Sequence, residues 1–261
     1  LHLNKKDLED INKLEESLRK YRNMIEVVHT PIEDVYSIEG LNKEENIEVI
    51  EKTIDLANRI SENGKVIDVV LHQTLSFNYI YSFGLYEPIK SNIKYLLDKY
   101  KNTRLNLENL TIVAEPSKDH IFSSRGSYFD AVPKLCSELR KDLNTSRIGV
   151  VWDVCHSLST IRKTEKELKM LNIDALTLDR YLKIYMPHLN LIHLANSRKF
   201  GYGKYHGANF ETKEEIILLK YILNSLKAYN YNGKVTLEVQ ENDYTDVKEC
   251  VKLDKTVKEI I

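Results

Sequence analysis

Short apolar runs alternate with long amphipathic stretches along the whole chain. The apolar runs cover residues 24–28, 66–71, 110–114, 148–152, 189–194 and 234–239. Between them, apolar residues recur at three- and four-residue steps over 5–21, 44–60, 91–100, 130–143, 175–185 and 213–229, the spacing of amphipathic helices. Apolar runs without alternation predict strands covered on both faces, and repeated β-then-α units predict parallel strands joined by crossover helices. Units of about 35 to 45 residues suit a (β/α)8 barrel with generous loops at the strand ends. Six strands are clear, and Leu1-His2-Leu3 reads as the tail of a further one. The expectation is a single α/β barrel domain over residues 1–261 whose first strand and helix, roughly 20 to 40 residues, lie upstream of Leu1. An open, doubly wound sheet is the competing architecture, with its site at one switch point.

The residue that ends each run changes the picture from fold to chemistry. The first strand ends in His29, the second in His72, the third in Glu115 and the fourth in Asp153, with His156 just beyond. The fifth leads to His193 and the sixth to Glu238. In a barrel these ends converge on one mouth, where active sites sit. Any one of these residues alone reads as a hydrogen-bonded structural side chain. Six successive strands each delivering one points to a metal site, and mixed histidine and carboxylate donors suit Zn, then Mn or Fe. Of the other histidines, His206 falls in a loop at the mouth, whereas His2, His120 and His188 read as structural or surface residues.

That loop, NSRKFGYGKYHGANF (196–210), interleaves Arg198, Lys199 and Lys204 with Phe200, Tyr202 and Tyr205. It reads either as a phosphate- or sugar-binding segment that carries His206 inward, or as an ordinary solvated loop. The basic run 162–166 reads as a solvated helix face, and Cys155 as a buried structural thiol rather than a nucleophile. There is no GxSxG elbow, no GxxxxGK[ST] phosphate loop and no GxGxxG after a strand.

Composition adds bounds. The 261 residues carry a formal net charge of -1, so no global pull draws the chain to nucleic acid or membrane, and a phosphate site would have to be local. No apolar run approaches the length of a membrane span. Three cysteines without CxxC spacing suggest a reducing compartment, and hence the cytoplasm. Oligomeric state is not legible in the sequence.

The ordered set resembles the xylose-isomerase-like barrel superfamily, and within it the ligand series of endonuclease IV, from HTP at 29–31 to LEV at 237–239. That series is met by His29, His72, Glu115, Asp153, His156, His193, His206 and Glu238, with Lys204 standing where the family has an aspartate. The resemblance implies a divalent-metal-dependent hydrolase, cleaving phosphodiester bonds in abasic-site DNA or a related phosphoester. It implies two ions, Zn first and Mn second, bridged by Glu115. The third ion of the family is placed in doubt by Lys204, which would act instead as a fixed positive charge. His156 would contact substrate. The alternative within the superfamily is a single-metal sugar or sugar-phosphate isomerase or epimerase, with Glu115 and Glu238 shuttling the proton. A non-enzymatic, metal-dependent binding protein is the third reading.

Overall fold

The computed structural model describes residues 1–111, 130–161, 178–198, 206–243 and 245–261. Six strands form one sheet in sequence order, every neighbouring pair parallel. They are β1 (Val27–His29), β2 (Ile67–His72), β3 (Thr103–Glu108), β4 (Ile148–Asp153), β5 (Leu189–Leu194) and β6 (Lys234–Leu237). Residues 1–3 run beside β1, with the Leu1 amino group on the Val27 carbonyl and the His29 N–H on the Leu1 carbonyl.

The helices are α1 (Ile11–Leu18), α2 (Glu44–Ile60), α3 (Phe77–Ser82), α4 (Tyr86–Lys99), α5 (Ala131–Asp142), α6 (Val154–Ile161), α7 (Leu178–Tyr185), α8 (Lys213–Ala228) and α9 (Lys248–Ile260). In α2 the buried Ile50, Ile54, Ala57 and Ile60 form one stripe against β1–β3. Each isoleucine so buried contributes about 1.5–3 kcal/mol. Glu44 and Glu45 occupy its first turn and Arg59 its last, matching the helix dipole. A reciprocal cap between Thr212 and Glu215 starts α8.

The sheet is curled like part of a barrel. The proof lies in its interior, where side chains from strands that are not neighbours meet. At the N-terminal end the buried Asp68 of β2 accepts bonds from Arg104 (2.7 and 3.1 Å) and Asn106 (2.9 Å) of β3. It also accepts from Asn190 of β5 and Lys234 of β6, both at 2.9 Å. A shift of register between β4 and β5 leaves Asn190 without a partner on β4, and its side chain reaches Asp68 and Asn106. Gly149 of β4 makes the room: a Cβ there would stand 2.6 Å from Asn106 Oδ1 and 2.8 Å from Asn190 Cβ. Above this layer, Val70, Val151 and Leu191 pack together with Val27.

Two expectations need correction. The third strand is Thr103–Glu108, not 110–114, and Leu110 lies beyond its end. Its polar Arg104, Asn106 and Glu108 face a polar barrel interior while Leu105 and Leu107 are buried in the main core, so the strand alternates. The expected continuous helix over 5–21 is a 3-10 turn, α1 and a second 3-10 stretch through Met24. No helix among the described residues is long and apolar enough to cross a membrane.

Candidate metal centre

Side chains alternate across a strand, so the residues two positions above the Val70 and Val151 layer again face the interior. They are His72 and Asp153, opposite Glu108 and His193 respectively in the strand registers. His29 closes β1, and Glu238 follows β6. Donor atoms of His29, His72 and Glu108 lie within 4.8 Å of one another, and so do those of Glu108, Asp153, His193 and Glu238. Glu108 belongs to both groups.

The two groups meet Glu108 from opposite sides. His29 Nε2 is 3.1 Å and His72 Nε2 4.0 Å from Oε2, whereas His193 Nδ1 is 3.2 Å from Oε1. His193 Nδ1 is also 2.9 Å from Glu238 Oε2. Nδ1 of His29 lies 2.6 Å from the Thr30 carbonyl and Nδ1 of His156 2.6 Å from the Asn109 carbonyl. Each Nδ1 must carry a proton to make that bond, so in the neutral ring Nε2 is the unprotonated nitrogen. The backbone N–H of His156 donates to Asp153 Oδ1 at 2.7 Å.

The electrostatics fit a divalent cation. Burial would raise Glu108, but the His193 charge and hydrogen bond, with the His29 and His72 rings close by, hold it well below the usual carboxylate range. Burial likewise opposes the ionised Glu238, which His193 and His2 hold low. Asp153, buried beside those two carboxylates, is pushed well above its ordinary value. Burial lowers His72 to about 3 and, with His156 adding to it, His206 to about 4, so both rings present lone pairs at neutral pH. His193 resists its burial because Glu108 and Glu238 raise it well above the ordinary imidazole range. Two carboxylates held low, the raised Asp153 and the lowered His72 and His206 form a donor set that suits a cation. Two ligand atoms on one zinc, with bonds of about 2.0–2.2 Å, stand about 3.3–3.6 Å apart in a tetrahedral set. Three of the separations here, 2.9–3.2 Å, come within a few tenths of an ångström of that, and His72 stands wider at 4.0 Å from Glu108.

His29, His72, Asp153, His193 and Glu238 thus converge as the sequence pattern predicts. His156 and His206 stand beside them with ring centroids 4.8 Å apart. Glu115 and Lys204 lie outside the described residues, as do Lys199, Phe200, Tyr202, Tyr205, His120 and the basic run 162–166. The carboxylate at the end of the third strand is Glu108. The signal for it was the alternation in TRLNLE, which a search for continuous apolar runs passes over. Arg198 is paired with Glu211 and Glu215 rather than turned to the mouth. Cys155 is the buried thiol expected: it donates to the Asn196 carbonyl at 3.3 Å and accepts from the Gly207 N–H at 3.2 Å. His2, read from sequence as a structural or surface residue, is half-exposed and stands at the mouth. Its Nε2 is 2.9 Å from Glu238 Oε1 and its ring stacks on His29 at 4.7 Å.

Fold and site together define a parallel β/α barrel with a histidine and carboxylate centre at its C-terminal mouth. The sequence profile of the xylose isomerase-like TIM barrel family matches residues 2–255. The chain belongs to that family. Comparison with curated proteins gives no match. Similar solved structures include a D-tagatose 3-epimerase-like protein, with 20% identity and a TM-score of 0.60 over 95% of this chain and 82% of that one. Endonuclease IV from Thermus thermophilus has 16% identity and a TM-score of 0.58 over 99% and 87%. The TTHB071 protein of the same organism, soaked with ZnCl2, has 16% identity and a TM-score of 0.54 over 99% and 87%. At these identities the likeness is one of fold.

Proposed function

We propose that the protein is a two-ion, divalent-metal-dependent phosphoester hydrolase, with zinc the first candidate and manganese the second. The observation that carries this reading is the double use of Glu108, approached at one oxygen by His29 and His72 and at the other by His193. A pair of divalent ions would supply a hydroxide nucleophile at neutral pH and a clamp on the attacking and leaving oxygens of an in-line displacement. His29 and His72 would hold one ion, and Asp153, His193 and Glu238 the other, with the Glu108 carboxylate shared. The bridging role expected of Glu115 thereby passes to Glu108. His156, its Nδ1 tied to the Asn109 carbonyl, would turn Nε2 toward substrate oxygens. Lys204 would supply a fixed positive charge where the family has an aspartate, and Lys204→Asp should then raise bound metal by about one equivalent.

The substrate would be a phosphodiester, in abasic-site DNA or a smaller phosphoester. The pairing of Arg198 with two glutamates favours recognition by the ions and the mouth over a basic track along a duplex. The second reading is a single-metal sugar isomerase or epimerase. It is favoured by one observation, that Glu108, Asp153, His193 and Glu238 already form a complete four-donor set without His29 and His72. Glu108 and Glu238 would then move the proton. Elemental analysis of purified protein, run beside assays of phosphodiester cleavage and ketose epimerisation, tests the choice. Two ions per chain with cleavage are expected, and one ion with epimerisation would overturn the reading.

A further inference from the structure

We propose that His2 is a positioning residue of the metal centre, holding the Glu238 carboxylate in place across the seam between the two edges of the sheet. The inference rests on the metal-centre reading, though not on the number of ions.

Glu238 is the least enclosed member of its group. Its side chain is 31% exposed, against 1–3% for Glu108, Asp153 and His193. The cause is its strand: β6 pairs with β5 alone among the described residues, and Val235 within it is 44% exposed. A glutamate side chain with so few walls has several rotamers open to it, and a ligand that wanders binds weakly. Two contacts restrict it. His193 meets Oε2 at 2.9 Å, and His2 meets Oε1 at 2.9 Å.

His2 is itself held from two directions. Its backbone belongs to the short parallel stretch beside β1, and Leu3 next to it is buried in the core. Its ring lies 4.7 Å from that of His29, with the planes 16° apart. The imidazole therefore spans from the first strand to the last, anchored on one ligand and hydrogen-bonded to another. A carboxylate ligand fixed by an outer N–H donor is a recurrent means of orienting metal ligands, and loss of such a donor weakens metal binding about 10–100-fold. A surface histidine without this role would require neither the stack nor the bond.

The test separates stacking from hydrogen bonding. His2→Phe keeps a flat ring on His29 and removes the N–H, whereas His2→Gln restores a donor near the position of Nε2. Zinc affinity, measured by competition with a chromophoric chelator, should fall about 10–100-fold for one ion in His2→Phe and recover to within a few-fold in His2→Gln. Thermal unfolding of the ion-free proteins should stay the same. Wild-type affinity in His2→Phe, or no recovery in His2→Gln, would overturn the proposal. Should His2→Phe fail to fold, His2→Asn, too short to reach Glu238, takes its place with the same expected loss. A wild-type protein holding a single ion would defeat the two-ion function and leave this test intact, because Glu238 serves in both readings.

Discussion

His29 and His193 face one another across a single carboxylate, their ring centroids 6.1 Å apart and their nitrogens at opposite oxygens of Glu108. Neither ring could keep its partner if the other strand moved by one residue, because a one-residue slip turns every side chain to the opposite face.

The first prediction tests this sharing of one carboxylate. His72→Ala should remove a donor from one group only, so bound zinc should fall from two equivalents to one while Asp153, His193 and Glu238 keep theirs. Elemental analysis checks it, with phosphodiester cleavage nearly abolished in parallel. An unchanged count would favour the isomerase.

A second prediction concerns protons. His193 is held well above the ordinary imidazole range by Glu108 and Glu238, and must lose its proton to ligate. Asp153 is raised by burial and by the same carboxylates, and must lose its own. Both shifts have the same sign, so ion binding should release at least one proton near neutrality and tighten as pH rises, about tenfold per unit for each proton released. Calorimetry in buffers of different ionisation enthalpy reads the number directly.

At the other end of the barrel, burial works against the Asp68 charge, but Arg104 and Lys234 hold its pKa below the usual value. A carboxyl lowered by folding contributes stability that is complete above its unfolded pKa and is lost as pH falls through the folded one. Asp68→Asn should therefore destabilise the protein by about 3 kcal/mol at pH 7, by leaving Arg104 and Lys234 without their carboxylate. The deficit should shrink in acid, as chemical denaturation at several pH values would reveal.

Gly149→Ala should lower the melting temperature without touching the donor set. The added methyl group would push against Asn106 and Asn190, a cost of about 1–3 kcal/mol. That corresponds to a fall of about 3–10 °C for a chain of this size. Metal affinity in the folded variant should match the wild type.

Much of this was legible in the sequence because strands buried on both faces announce themselves as apolar runs. β4 is buried at every position, and IGVVWD with Asp153 at its end reads correctly. The third strand was not legible in the same way. Its inward side chains, Arg104, Asn106 and Glu108, are polar because they face the Asp68 network and the donor set, so the continuous run at 110–114 drew the assignment away. His2 escaped for a different reason. Its importance depends on the first and last strands meeting in space, which no local pattern encodes. The Asp68 network shares that property, joining residues up to 166 positions apart.

Among the described residues, the layered interior also closes the site from below. Below the donor set lie Val70, Val151 and Leu191, and below them the bonded cluster around Asp68. On the proposed function, substrate and product would then share the approach from the mouth, past His2. A product that lingers at the donor set would hold the place substrate needs, so it should inhibit competitively against substrate.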